Sequence, residues 1–176
     1  MQAKKLTYAD YARIPDDGKR YEVLEGGLLV TPAPNIPHQR ASKRIQRQLE
    51  DYFESRGLGE IFNAPVDVIL SDHDILQPDL VVARPGQISK RGIEGSPLLV
   101  VEILSPSTER RDRTSKGRRY AALGVPHFWL VDPERRIVEC LRLEGGRYLL
   151  TSRGNEGTLS HPDWPDFVLD LDVLWR

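Results

Sequence analysis

Two apolar runs each carry one carboxylate where a strand would take another aliphatic side chain. They are Gln77-Pro78-Asp79-Leu80-Val81-Val82 and Pro97-Leu98-Leu99-Val100-Val101-Glu102-Ile103-Leu104. Burying an acid in such a run costs several kcal/mol unless a partner neutralises it. Asp79 and Glu102 stand 23 positions apart, room for two strands and a connection that brings the second acid beside the first. Carboxylates held together repel unless they share a proton or a cation. A hard divalent cation is the simplest resolution, so the pair predicts a metal-dependent enzyme.

At 176 residues the chain reads as one domain, residues 1–176, with room for a full core. No apolar run approaches the ~20 residues of a membrane span, and Met1-Gln2-Ala3-Lys4-Lys5 lacks the apolar core of a leader. The single cysteine, Cys140, excludes an internal disulfide framework or a multi-cysteine zinc site, and cytoplasmic residence is the default expectation. A net charge of −1 argues against gripping nucleic acid with the whole surface, which puts the weight on local clusters. Arg110, Arg111, Arg113, Lys116, Arg118 and Arg119 fill six of ten consecutive positions, and Arg40, Arg44 and Arg47 recur at helical spacing. Together they predict a phosphate-binding face, with Arg40, Arg44, Arg47, Arg110, Arg111 and Arg113 as the expected nucleic-acid contacts.

Thr7 to Ile14 reads as a short helix capped by Thr7. Arg20–Leu24 and Leu28–Thr31 form a hairpin around Glu25-Gly26-Gly27. From His38 to about Arg56 the period is helical, with Ala41, Ile45, Leu49 and Tyr52 as the apolar stripe. Residues 60–70 read as one long strand, and 79–83 as a short one. Leu98–Leu104 has the continuous apolar pattern of a sheet interior. A second helix over Asp112–Leu123, a strand at His127–Val131, a hairpin from Ile137–Leu143 and Arg147–Thr151, and a last strand or short helix at Phe167–Leu174 follow. The fold class is therefore α/β: a mixed sheet flanked by helices, with extra β-hairpins.

Strands hold carboxylates in fixed geometry, so Asp79 and Glu102 are the first candidates. Mg²⁺ keeps several waters, and two carboxylates plus the Ile103 carbonyl would hold it. The competing reading for each acid is a strand-end cap or an arginine partner. The helix after Leu104 should pack back on the sheet, bringing Lys116 towards Glu102, where it could orient a water and offset phosphate charge. Its plainer reading is a solvated helix lysine. Glu22 shares a strand face with Leu24 and could add a ligand or a base, or be a surface glutamate. His38 turns towards the core with Ser42 and Ile45 and could contact phosphate or relay a proton, or simply start the helix. His73, His127 and His161 read as incidental.

Pro78-Asp79 followed by Glu102-Ile103-Leu104 resembles the Pro-Asp…(Asp/Glu)-x-Lys signature of restriction-endonuclease-like nucleases. More closely, five motifs in order resemble the Uma-type restriction endonuclease family. They are Tyr21-Glu22-Val23-Leu24-Glu25-Gly26; Thr31-Pro32-Ala33-Pro34 with His38; Gln77-Pro78-Asp79; Val100-Val101-Glu102-Ile103-Leu104-Ser105-Pro106-Ser107-Thr108; and Trp129-Leu130-Val131-Asp132-Pro133. The resemblance covers nearly the whole chain. It implies a mixed five-stranded core sheet, a Mg²⁺ or Mn²⁺ site, and phosphodiester hydrolysis. Asp79 and Glu102 would be metal ligands and Glu22 an accessory acid. The signature's lysine belongs two residues after the glutamate, where this chain has Leu104, so Lys116 on the next helix is the expected substitute.

The expectation is a metal-dependent endonuclease acting on DNA, with RNA not excluded, and Asp79, Glu102, Lys116, Glu22 and His38 as the catalytic set. The alternative is a catalytically inactive nuclease-like module that binds DNA or protein. Cleaving both strands would want a homodimer, for which Trp164, Phe167 and Trp175 suggest an interface.

Overall fold

The computed structural model describes residues 4–176, so Met1-Gln2-Ala3 of the leader reading lie outside the described residues. Helix α1 (Tyr8–Tyr11) leads to the hairpin β1 (Arg20–Leu24) and β2 (Gly27–Thr31). Helix α2 (Ile36–Leu49) runs on into a π-helical turn, Glu50–Glu54. Strands β3 (Glu60–Asn63), β4 (Val68–Ser71), β5 (Asp74–Leu76), β6 (Leu80–Ala83), β7 (Ile88–Ser89), β8 (Gly92–Glu94) and β9 (Leu99–Ile103) follow. A second π-helical turn, Arg111–Lys116, opens α3 (Gly117–Ala122). The chain ends in β10 (His127–Asp132), β11 (Ile137–Glu144), β12 (Arg147–Gly154), β13 (Thr158–His161), β14 (Trp164–Asp170) and α4 (Leu171–Leu174).

The central sheet has the order β12-β11-β10-β9-β6-β3, one strand more than the five the family resemblance implied. Within it only β9 and β10 run parallel. A parallel pair needs a crossover, and the helical segment between β9 and β10 supplies it, lying back on the sheet. Every residue of β9 is buried, as its unbroken apolar pattern demands. Its alternate side chains feed two cores. Leu99, Val101 and Ile103 join Ile45, Leu49 and Phe53 under α2 and the C-terminal hairpin; Val100 and Leu104 join Tyr120 and Phe128 under α3, together with Val68, Leu76 and Ile93 of the second sheet. That second sheet has the order β2-β1-β5-β4-β8-β7.

Two expectations fail. The strand read over 60–70 is two strands in different sheets, β3 and β4. Pro65 sits at the break, where a missing N–H cannot continue a ladder. The aromatic tail is not a surface for a second copy: Trp164 and Phe167 are buried and Trp175 packs against the same core. The β13–β14 hairpin carries them onto the sheet, where Trp164 meets Phe53 edge-on at 4.9 Å and stacks on His161 at 4.4 Å.

Candidate active site

The antiparallel pairing of β6 and β9 sets Leu80 opposite Val101. Carried one residue further, that register places Asp79 opposite Glu102 on one sheet face, where facing Cβ atoms lie about 4.5–5.5 Å apart. Both acids line a cavity of about 230 Å³ with Arg20, His38, Ile103, Arg111, Asp112 and Lys116. The loops Thr31–Asn35 and Ser105–Thr108 form its walls.

Each acid is fixed through one oxygen. Asp79 Oδ2 accepts from the Ile103 amide at 2.8 Å and lies 3.1 Å from His38 Nε2; among the described residues its Oδ1 has only Arg20, at 3.7 Å. Glu102 Oε1 accepts from Lys116 Nζ at 3.0 Å and from the Tyr120 hydroxyl at 2.8 Å. The two remaining oxygens are left for the cavity. Helix α2 supplies His38 because Asn35 caps it, accepting from the His38 amide at 3.0 Å, with a proline in the first turn.

Lys116 is 2% exposed and holds three acids: Glu22 at 2.9 Å, Glu102 at 3.0 Å and Asp112 at 3.8 Å. The π-helical turn brings Asp112 and Lys116 inward together, a common use of such turns at functional sites. Glu22 is fully buried and also accepts from the Gln77 amide and the Thr31 hydroxyl.

Burial opposes every charge in this group, and the partners decide the outcome. Burial pushes Glu102 up to about 8, against the pull of Lys116 and helped by the like charges of Asp112, Asp79 and Glu22. Burial also raises Asp112. For Glu22, burial is outweighed by Lys116 and the Gln77 amide, which hold it below the ordinary value. Asp79 is likewise lowered, by His38 and the Ile103 amide acting against burial. Lys116 stays protonated: burial opposes its charge, but Glu102, Glu22 and Asp112 raise its pKa above the usual range. Four acids thus converge on Lys116, Arg20 and Arg111, and Glu102 keeps at neutral pH a proton that a divalent cation would displace. Asp112 Oδ1, sealed from solvent, makes no hydrogen bond among the described residues and is met only by the longer ion pairs to Arg111 at 3.7 Å and Lys116 at 3.8 Å.

The site therefore gathers all five expected catalytic side chains, and Ile103 beside them. It does not gather the whole expected basic face. Arg111 lines the cavity, with its sealed Nε 3.7 Å from Asp112 Oδ1. Arg113 is bound to Glu109 at 3.1 Å and Glu139 at 2.6 Å. Arg110 and Arg47 are exposed, and Arg40 and Arg44 line a different cavity. The sequence reading missed Arg20, Asp112 and Tyr120. Asp112 and Tyr120 lie four residues either side of Lys116, a spacing that could have revealed them; Arg20 left no such signal.

The family model Uma2, described as "Putative restriction endonuclease", matches residues 8–172. No curated protein matches. Solved structures do, among them one described as a "putative nuclease belonging to DUF820" from Anabaena variabilis. It is 19% identical, with a TM-score of 0.77 over 97% of each chain, a likeness of fold.

Proposed function

Because the chain belongs to the Uma2 family, a nuclease-like function on nucleic acid is its class, and we propose that it is a Mg²⁺- or Mn²⁺-dependent endonuclease cutting phosphodiester bonds in DNA. The observation that carries the reading is the opposed pair Asp79 and Glu102, each tied down by one oxygen with the other left to a shared cavity. That donor set, carboxylate oxygens on rigid strands, suits a hard cation. Asp79, Glu102 and the Ile103 carbonyl would hold the ion. When bound it would polarise the phosphate and stabilise the leaving oxygen.

The protein's own groups do the rest. His38 and the Ile103 amide fix the Asp79 rotamer. Glu22, sealed beneath the cavity, anchors Lys116 so that its ammonium is aimed at Glu102 and at an attacking water. The positive charge of Lys116 offsets the charge that builds on the phosphate in the transition state. Arg20 and Arg111 line the cavity where the phosphate oxygens would lie, and preorganised guanidiniums seat them.

Nicking of supercoiled plasmid by wild type and Asp79→Ala, with Mg²⁺, Mn²⁺ or EDTA, tests this. Metal-dependent nicking lost in the variant supports it. Nicking that survives Asp79→Ala overturns the site assignment. DNA binding without nicking, under every metal, would mean a nuclease-like binding module instead.

A further inference from the structure

Across α2 from the candidate active site lies a second cavity of about 220 Å³ whose walls include four arginines and no carboxylate side chain. Arg40 and Arg44 come from α2, Arg136 from the β10–β11 turn, and Arg176 from beyond α4. Among the described residues none of the four makes an ion pair, whereas Arg91, Arg113, Arg119, Arg135 and Arg142 all do. Arg44 alone is tied, donating to the Leu174 carbonyl at 3.1 Å. Trp175 lines the same cavity.

Like charges drawn together without a counter-charge repel, and an anion seated among these mostly exposed guanidiniums relieves that. Arg136 adds a further cost, for it sits at φ +54°, a left-handed conformation that glycine or asparagine adopts more easily. A turn whose only task was to reverse the chain would not favour arginine there.

The position identifies the anion. His38 faces the active-site cavity while Arg40 and Arg44, on the same helix, face this one. A helix with its side chains is about 10 Å across. A nucleic-acid strand advances about 3.4 Å per nucleotide. We propose that this cavity is a second phosphate seat, holding the backbone of the cleaved strand two to four nucleotides from the phosphate that reacts. The inference rests on the nuclease reading and extends it, making α2 the element the strand crosses. Four guanidiniums favour a phosphodiester backbone, so the seat adds affinity without sequence preference.

Fluorescence anisotropy of labelled single-stranded and duplex DNA, measured in EDTA across a salt series, tests it. The proteins are wild type, the Arg40→Ala/Arg136→Ala double variant, and Arg147→Ala as an exposed control on β12. Far-ultraviolet circular dichroism confirms that each is folded. The double variant should bind about tenfold more weakly at 0.1 M salt. Its slope of log affinity against log salt should be shallower by about 1.4 for single strands and 1.8 for duplex. Arg147→Ala should match wild type. An unchanged slope in the double variant, with wild type still binding, overturns the second seat and leaves the nuclease reading intact. An equal loss in Arg147→Ala would reduce the effect to general surface charge and also overturn it. Wild type that binds no DNA overturns both.

Discussion

Replacing Lys116 by Met keeps most of the side chain's volume and removes its charge. The three acids around it then lose their common partner, at the 2.9, 3.0 and 3.8 Å distances described. Breaking a buried pair from one side costs about 3–5 kcal/mol, because the remaining charge stays buried and unpaired. The penalty has a pH signature. Lys116 holds Glu22 below the ordinary glutamate value of 4.5, so that stabilisation is fully present above pH 4.5 and is lost as pH falls through the lowered native value. The variant lacks it throughout, so the gap to wild type should be widest at neutral pH and should narrow in acid. With a urea slope of about 2 kcal/mol/M, the midpoint at pH 8 should fall by roughly 2 M. Urea titrations of both proteins at pH 8 and pH 4, followed by circular dichroism, measure this. A midpoint at pH 8 within 0.5 M of wild type (about 1 kcal/mol at that slope) would refute the reasoning. So would a gap that stays constant in acid, because the loss would then come from packing and not from charge.

Cation binding should be linked to the proton on Glu102. With that carboxyl at about 8, its ionisation at pH 7 costs about 1.4 kcal/mol. Calorimetric Mg²⁺ affinity should therefore rise about fivefold from pH 7 to 8, and roughly tenfold in all before it levels off above pH 9; a flat profile would count against Glu102 as a ligand. Arg119→Ala strips the fully buried Asp74 of a two-pronged contact at 2.8 and 2.6 Å and should destabilise the fold by about 3 kcal/mol. Chemical denaturation checks this, and a loss under 1 kcal/mol would show that Ser71 and the Glu25 amide suffice for Asp74. Trp164→Ala should cost about 3–5 kcal/mol as a core truncation, against nearly nothing for an exposed interface residue in a lone chain.

Asp79 and Glu102 were legible because an acid in an aliphatic run announces an unmet need. Lys116 was legible because a helix between two neighbouring parallel strands must fold back over the sheet. The α2 boundary was nearly right, since Ala41, Ile45 and Leu49 keep one face. The errors arose where distant contacts decide. Alternation across residues 60–70 looks continuous, yet Pro65 separates strands belonging to different sheets. The spacing of Trp164, Phe167 and Trp175 gives no hint that the β13–β14 hairpin lays them over Phe53 and Trp129. Nor could composition say that Arg113 is already satisfied by Glu139, an acid on β11 far along the chain.

The widened turn at Arg111–Lys116 spends six residues on a rotation that about five α-helical residues would cover. Removing one residue from Arg113–Ser115 would therefore let it tighten to ordinary winding with both flanks nearly in phase. Tyr120 and the rest of α3 would stay seated on Phe128, and Arg111 and Asp112 would still face the cavity. The extra residue is thus slack held in one turn, and a chain shortened there should fold with the same side chains gathered.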